Sequence, residues 1–319
     1  MTADDAKRAL VEVLSTDPVL SKVQGAAPAS GGHAGLWWER YGGAFVTERR
    51  SKGVKTRNLS VPRSNWIKAL ADRVGNADAM MKARLTRHHQ QRAALIGPKG
   101  VQFTATLRTP LVIGMGLPHP TENGLMFHPT LGVPYIPGSS LKGAVQAFVY
   151  EWLLRGAYDV AKALDEDIKR IFGQPHRLEA HEKAHEEKAT KRGSVVFLDA
   201  LPVSWPSIGT EILNPHIGNY LTSANEPLTD GIHVTLKPIA FASVAPGCTF
   251  AFLLRPSPMA PVSAAEAEAD VALAAGWLAA TLTDLGIGAK TKSGFGRFAD
   301  IREIAHASNA GTTSKDTTS

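Results

Sequence analysis

Four glycines and three cationic residues fall together in residues 286–298 (GIGAKTKSGFGRF). Glycine lets a backbone approach a phosphodiester closely and present its N–H groups to an anion, while Lys and Arg side chains neutralise the phosphate charge. The pattern predicts a loop that grips a nucleic-acid backbone without reading its bases. The predicted contact residues are Gly286, Gly288, Lys290, Lys292, Gly294 and Arg297.

This stretch has two other interpretations. A helix C-cap followed by an ordinary glycine turn would give the same composition, and it stays open as the structural alternative. A dinucleotide-binding fingerprint is excluded, because that motif follows a strand and opens a helix, whereas this stretch follows a predicted helix.

A second possible anion site lies at a predicted helix start in residues 136–143 (IPGSSLKG). The partial positive charge of a helix N-terminus favours phosphate, and Ser139, Ser140 and Lys142 would supply hydroxyls and a cation. A plain N-cap, with Gly138-Ser139-Ser140 supplying the capping residue, explains the same residues. The sequence alone leaves both open.

Residues 181–185 (HEKAH) satisfy the H-E-x-x-H pattern, which on a helix places two imidazoles one turn apart for zinc. The surrounding residues are charged on every side, so this helix would lie in solvent, where water competes with each ligand. A charged surface helix is the preferred interpretation. No metal and no cofactor are expected.

Ribonuclease chemistry would need a general acid and a general base near a phosphate. His119, Glu122 and His128 are the candidates between the first predicted strand and the next helix. His128 is more simply explained as a buttress of its loop. We therefore expect no catalysis, and an RNA-cleaving protein that uses these residues is the alternative.

Positive charge is concentrated in one part of the chain. Residues 37–100 hold fourteen Lys and Arg against four Asp and Glu, a net charge of +10 in a chain whose total is +6. Trp37, Trp38, Tyr41 and Trp66 are interspersed, which suits phosphate contact plus base stacking. The alternative is a solvated basic face whose aromatic residues serve the core. Possible additional contacts are Arg49, Arg50, Lys52, Lys55 and Arg57.

The hydrophobic pattern predicts an α+β fold. A strand at 101–107, helices from 138 and 159, strands at 194–201, near 232–241 and at 249–254, a helix opened by the Ser263/Glu266 capping box and a short final strand follow one another. This order is that of a ferredoxin-like or RRM-like domain. Two basic helices, from Ser64 and up to Ile96, precede it.

We divide the chain into four parts: an N-terminal extension and linker (1–35), a basic helical region packing on the main domain (36–98), the ferredoxin-like domain (99–304) with a charged insertion (174–192), and a disordered tail (305–319). The N-terminus has no basic start and no apolar stretch, so neither export nor membrane insertion is expected. The single cysteine, Cys248, is expected to pack in the core of a cytoplasmic protein.

Several of these segments together resemble the RAMP superfamily of CRISPR proteins: residues 136–143, Phe172–Gly173, residues 196–200 (VFLDA) and residues 286–298. Residues 127–135 (FHPTLGVPY) and 212–220 (ILNPHIGNY) are similar to the sixth-subunit family of the Cmr complexes, and 36–41 (LWWERY) is a weaker match. The resemblance spans residues 101–298 in the expected order.

The resemblance implies a subunit of a type III-B (Cmr) RNA-guided effector complex that holds the 3′ part of the CRISPR RNA. Its partners would be CRISPR RNA, target RNA, neighbouring RAMP subunits and the small helical subunit. In such systems base pairing reads the target and the protein reads the backbone. Related backbone subunits keep a cleavage aspartate between the first strand and first helix. No aspartate occurs between Thr104 and Gly156, which agrees with a non-catalytic subunit.

Overall fold

A computed structural model describes residues 33–40, 46–51, 54–59, 63–119, 121–155, 158–173, 192–213 and 238–303. The described residues form six α-helices and nine strands, in this chain order: α1 (Ala34–Arg40), β1 (Val46–Ser51), β2 (Val54–Leu59), α2 (Arg63–Gly75), α3 (Ala79–Ile96), β3 (Val101–Leu107), α4 (Gly138–Arg155), α5 (Tyr158–Phe172), β4 (Val195–Phe197), β5 (Leu201–Pro202), β6 (Ile208–Leu213), β7 (Ile239–Val244), β8 (Thr249–Pro256), α6 (Ala264–Ala280) and β9 (Phe298–Glu303).

The main sheet has the strand order β4-β8-β3-β9, and every neighbouring pair is antiparallel. β5 also pairs with β8, beside β4. In chain order the four main strands are therefore arranged 2-3-1-4, with helices between the first and second and between the third and fourth. This is the ferredoxin-like arrangement that the sequence predicts.

Helices α4, α5 and α6 cover one face of this sheet, and the largest core cluster lies between them and the strands. Phe250, Phe252 and Leu254 of β8 point into this cluster, as the two-residue period of a strand requires. The helices contribute positions spaced three or four apart, such as Leu141, Val145 and Val149 of α4. Cys248 is buried at the edge of the same core, and burial raises the pKa of its thiol to about 12.

The opposite face of the sheet is partly covered by α3. Ile96, at the end of α3, packs on Ala251 and Leu253 of β8, which alternate with the residues of the main core. Leu85 of the same helix packs with Leu131 and two other buried apolar residues. Both faces of β8 are therefore buried in its central part, which explains its continuous run of apolar residues.

The basic region packs on the main domain through a tryptophan cluster. Trp37, Trp38 and Trp66 are almost completely buried, and they pack with Leu125 and Phe127 of the loop after β3. Three of the aromatic side chains predicted to stack on bases therefore serve the core, and that interpretation was wrong for them. Tyr41 lies outside the described residues.

The expectation that residues 36–98 are helical needs a correction. β1 and β2 pair as an antiparallel hairpin inside this region, while the predicted helices are present as α2 and α3. β6 was also missed, since no strand was expected at 208–213, although it pairs with β7. Residues 1–32, 174–191 and 304–319 lie outside the described residues, and with them the predicted extension, most of the charged insertion and the tail.

A partly buried ion pair joins α5, α6 and the residue before β4. The Arg170 guanidinium donates to both carboxylate oxygens of Asp270 at 2.6–3.1 Å, and the Ser194 hydroxyl donates to the same carboxylate at 2.6 Å. Asp270 is 1% exposed. Hydrogen bonds from Arg170 to Asp270 and Asp167 raise the pKa of the guanidinium above its ordinary value.

In the described part of the chain, no helix is long and apolar enough to cross a bilayer.

Candidate functional site

A basic cleft of about 400 Å³ lies beside the start of α4, and we call it the helix-start cleft. It is bordered by α4, by the edge strand β4 and by the end of β8. Its lining includes two residues predicted from the sequence and three polar or cationic residues that were not. These residues are Ser139, Lys142, Arg192, Arg255 and Ser257.

Glycine at position 138 allows the cleft to form. A Cβ atom on Gly138 would lie 2.1 Å from the carbonyl oxygen of Phe197, which is closer than any side chain can approach backbone. α4 therefore begins directly against the edge strand, and its first turn forms a wall of the cleft. A second close approach, of Gly193 to the Ile171 carbonyl, holds the segment that carries Arg192.

The cleft concentrates cations without carboxylates. Lys142, Arg192 and Arg255 line it, and its lining among the described residues contains no Asp, Glu or His. Burial lowers the pKa of the Lys142 ammonium from its ordinary value, because a charged group loses solvation there. A bound anion would offset that loss. The sequence did not predict Arg192 or Arg255 as part of an anion site. Arg255 reaches the cleft through the pairing of β4 with β8, and Arg192 reaches it because it lies just before β4.

The predicted cap of α4 was wrong in one respect. Ser139 and Ser140 are exposed in the first helical turn, and the backbone N–H of Gly138 donates to the Asp199 carboxylate at 2.7 Å. The group that caps α4 is therefore the Asp199 carboxylate, in the segment after β4. A carboxylate at this position reduces the attraction of the helix N-terminus for phosphate. The side chains of the cleft, and not free amides, are its anion-binding groups.

The glycine loop, residues 286–298, differs from the predicted anion cradle. The backbone N–H groups of Gly286, Ile287, Ala289, Ser293, Gly294, Phe295, Gly296 and Arg297 all donate to acceptors within the protein. Most of the amides expected to face a phosphate are thus already bonded. The loop can still contact an anion through the side chains of Lys290, Lys292 and Arg297.

Close backbone packing explains the glycines of this loop. A Cβ on Gly296 would lie 1.9 Å from the Ile287 carbonyl oxygen, and one on Gly288 would lie 2.4 Å from the Val112 carbonyl oxygen. Both residues also have positive φ. The loop bonds to residues 110–112 after β3 and leads into β9, whereas the helix-start cleft borders β4 at the other edge of the sheet. The two predicted contact groups are therefore in different places.

Two of the three ribonuclease candidates have structural roles. The His119 ring stacks on Trp38 with centroids 4.1 Å apart, its Nε2 donates to the Trp38 carbonyl at 2.9 Å, and its Nδ1 accepts from the Thr121 N–H at 3.2 Å. Both ring nitrogens are engaged. Glu122 forms an ion pair with Arg63.

His128, the third candidate, lies in a cluster of rings. Its centroid is 5.6 Å from that of His88 on α3 and 5.4 Å from that of Tyr135, both edge to face. Its Nδ1 lies 3.3 Å from the Thr130 hydroxyl, and its carbonyl accepts from the Gly132 N–H. His128 thus buttresses its own turn, as expected, while its ring remains only partly buried. Burial first, then the charges of nearby cationic groups, lowers the pKa of both imidazoles.

The other predicted positions add little to the site. Arg49, Arg50, Lys55 and Arg57 fall on the β1–β2 hairpin, where their side chains are not among the described atoms, and Lys52 lies outside the described residues. His181 and His185 of the zinc-like motif also lie outside the described residues. Within the described ranges, no group of three or more His, Cys, Asp or Glu could hold a metal ion.

Comparison with known proteins gives the family. The model of the RAMP superfamily matches residues 104–299, from β3 to the start of β9. This span covers more than half of the chain and both predicted contact groups. The chain belongs to the RAMP superfamily.

Two curated relatives of this RAMP chain are Cmr6 subunits. The chain is 28% identical over 229 residues to the CRISPR system Cmr subunit Cmr6 of Pyrococcus furiosus, covering 60% of this chain and 65% of the relative. It is 27% identical over 143 residues to the Cmr6 subunit of Saccharolobus solfataricus, covering 43% and 42%. The matches therefore span less than two thirds of the length of either relative.

Two of the solved structures that match this chain come from Cmr proteins. One is a chain of the type III-B Cmr-beta complex bound to cognate target RNA, with 18% identity, a TM-score of 0.49 and coverage of 95% of this chain and 89% of that one. The other is Cmr6 of Pyrococcus furiosus, with 24% identity, a TM-score of 0.34 and coverage of 65% and 98%.

Proposed function

We propose that this RAMP chain is a non-catalytic, CRISPR-RNA-binding and assembly subunit of a type III-B (Cmr) effector complex, where it holds the 3′ part of the guide RNA. The observation that carries the RNA-binding role is the helix-start cleft. It collects Lys142, Arg192 and Arg255 within one concave surface that lacks carboxylates among the described residues. Such a surface attracts phosphates whatever the base sequence.

Family membership and similarity to Cmr6 subunits support the assembly role. The partners proposed are guide RNA, target RNA, neighbouring RAMP subunits and the small helical subunit of the same complex. The proposed location of this chain is the cytoplasm.

The side chains of His119 and Glu122 already bond within the protein, which supports a non-catalytic role. A proton-transfer residue needs an available nitrogen or oxygen near the scissile phosphate, and both groups are used within the fold. No carboxylate or imidazole lines the helix-start cleft among the described residues. The described lining of the cleft itself therefore supplies no general base to RNA bound in it.

An RNA-cleaving function is the second candidate, and one observation favours it. His128 and His88 have ring centroids 5.6 Å apart, and a pair of imidazoles can serve as general base and general acid in RNA cleavage. The candidate catalytic residues of the RNA-cleaving alternative are therefore His128 and its neighbour His88, and no longer His119, Glu122 and His128.

One experiment separates the two functions. End-labelled single-stranded RNA is incubated with the purified protein, its affinity is measured by filter binding, and its length is read on a denaturing gel. Binding of intact RNA that weakens in a Lys142→Ala/Arg255→Ala variant supports the proposal. Specific cleavage that disappears in His128→Ala would replace it with the endoribonuclease.

A further inference from the structure

Three partly buried rings form a continuous aromatic surface between α3 and the start of α4. His88 lies on α3, His128 in the turn before Tyr135, and Tyr135 three residues before Gly138. We call these three residues the imidazole cluster. His128 is in the middle, with edge-to-face contacts to the other two rings. None of the three rings is fully buried, although Leu85 and Leu131 beneath them are.

Two hydrogen bonds attach α3, the helix that carries His88, to the rest of the domain. Arg92 of α3 is 7% exposed, and its Nη2 donates to the carbonyl of Asp199. Next to it, His89 Nε2 donates to the Pro202 carbonyl at 2.8 Å. These two bonds attach α3 to the segment between β4 and β6, one of them next to His88 and the other one turn after it. They hold the part of α3 that carries His88 against this segment.

Asp199 connects the imidazole cluster with the helix-start cleft. Its carboxylate accepts from the Gly138 N–H at the first residue of α4, and its carbonyl accepts from Arg92. Asp199 also comes two residues after Phe197, which lines the cleft. The charge of Asp199 also acts on His128 and Tyr135, and Gly138 itself lines the cleft, so the rings and the cleft lie beside the same helix start.

We propose that the imidazole cluster is a stacking site for an unpaired RNA base adjacent to the phosphates held in the helix-start cleft. Proteins that bind single-stranded RNA without sequence preference combine a cationic groove with aromatic rings on which bases stack. This chain has both features beside one helix start, whereas its tryptophans at 37, 38 and 66 are buried. The inference rests on the proposed RNA-binding function, and it gives a base contact to His128, which the sequence interpretation treated as a buttress of its loop.

The protonation state of the cluster suits this role. Desolvation, and then the charges of Arg92 and neighbouring histidines, lowers the pKa of His88 and His128, so both rings are neutral at neutral pH. The groups that act on His128 are His88 and Arg92 of α3, His33 before α1, and the single carboxylate of Asp199. Neutral imidazoles do not repel one another and present heteroaromatic faces to a base.

The test compares two RNAs that differ only in their bases. One is a ten-nucleotide oligouridylate, and the other is the same backbone with every base removed; the affinity of each is measured by fluorescence anisotropy at one salt concentration. The wild-type protein is expected to prefer the base-containing RNA by about 5- to 150-fold, the range for one stacked base. His128→Ala and His88→Ala should each reduce this ratio toward one.

Three controls make the result specific. Tyr135→Phe and His128→Phe keep a ring and should keep the preference. Gln91→Ala, an exposed change on the same helix, should leave it unaltered. Lys142→Ala should weaken both RNAs alike and so leave the ratio unchanged, while lowering the affinity.

Each result has one meaning. A wild-type ratio near one, or an unchanged ratio in His128→Ala and His88→Ala, overturns the stacking site while leaving phosphate binding intact. Failure of the wild-type protein to bind either RNA overturns the proposed function instead. Cleavage of the oligouridylate that depends on His128 would assign the cluster to catalysis and also overturn the stacking site.

Discussion

The Asp199 carboxylate accepts a hydrogen bond of 2.7 Å from the backbone N–H of Gly138, at the first residue of α4. A residue in the short segment between β4 and β5 therefore caps a helix that begins sixty-one positions earlier in the chain. This contact puts a negative charge at the N-terminus of α4, where the helix-start cleft begins. It stabilises the helix start while opposing the binding of phosphate there.

The two effects of Asp199 can be separated by substitution. Asp199→Asn keeps an acceptor for the Gly138 N–H but removes the charge, so RNA affinity should rise a few-fold with little loss of stability. Asp199→Ala removes both, and it should lower the free energy of unfolding by about 0.5–2 kcal/mol. Anisotropy titrations and urea denaturation of the two variants check this. Weaker RNA binding by Asp199→Asn would mean that the carboxylate contributes to the site.

The glycine loop gives a second prediction, on stability. Gly296→Ala should destabilise the protein by at least ~1–2 kcal/mol, because φ is 71° and the new Cβ would meet the Ile287 carbonyl oxygen. Gly276→Ala is the matched control. Gly276 is an exposed position inside α6 with nothing within 4 Å of a new Cβ, so this change should stabilise by about 0.5–1 kcal/mol. Equal effects of the two substitutions in urea denaturation would contradict this account of the loop.

The Arg170–Asp270 ion pair gives a third prediction. Asp270→Ala leaves Arg170, which is 30% exposed, with Asp167 as a partner and removes the acceptor of the Ser194 hydroxyl, so the free energy of unfolding should fall by about 1–3 kcal/mol. Glu166→Ala, which removes an 82% exposed carboxylate near Lys169, should cost less than ~1 kcal/mol. Thermal unfolding followed by circular dichroism distinguishes them. A small effect of Asp270→Ala would show that Asp167 alone can hold Arg170.

The histidines predict how stability depends on pH. Burial lowers the pKa of His88, His89 and His128 below the ordinary value of 6.5, so the unfolded chain binds protons at a higher pH than the folded one. Stability is then complete above pH 6.5 and falls as the pH drops from 6.5 through the lowered values. The thermal midpoint measured from pH 8 to 5 should show this decrease, and His88→Gln/His128→Gln should make it shallower. A midpoint that increases on acidification would contradict the direction of these shifts.

Local patterns predicted most of the fold. The helix expected from Ser64 is present as α2, whose buried residues Trp66, Ile67, Leu70 and Val74 are spaced three or four apart or adjacent, and the Ser263/Glu266 capping box opens α6 as predicted. These features depend on residues within one or two turns of each other. The β1–β2 hairpin was missed because its many charged residues give no apolar face in the sequence pattern. A hairpin of this kind is defined by the pairing of its two strands, which the pattern does not show.

The candidate site was only partly predictable. Ser139 and Lys142 are next to a recognisable helix start, but Arg192 and Arg255 reach the same cleft only through the pairing of β4 with β8. The glycines of residues 286–298 suggested an anion cradle, whereas most of the amides there bond within the protein. Composition cannot reveal which amides are already used.

The salt dependence of RNA affinity tests the central claim most directly. For the wild-type protein, the logarithm of the affinity should fall linearly with the logarithm of salt concentration, with a slope of about −0.7 for each phosphate contacted on a single strand. Lys142→Ala and Arg255→Ala should each reduce the slope by roughly one contact, uniformly across RNA sequences. Lys290→Ala and Lys292→Ala test the glycine loop in the same way, and Arg63→Ala, whose guanidinium is paired with Glu122, is the control. Slopes in Lys142→Ala and Arg255→Ala that equal the wild-type slope would contradict RNA binding in the helix-start cleft.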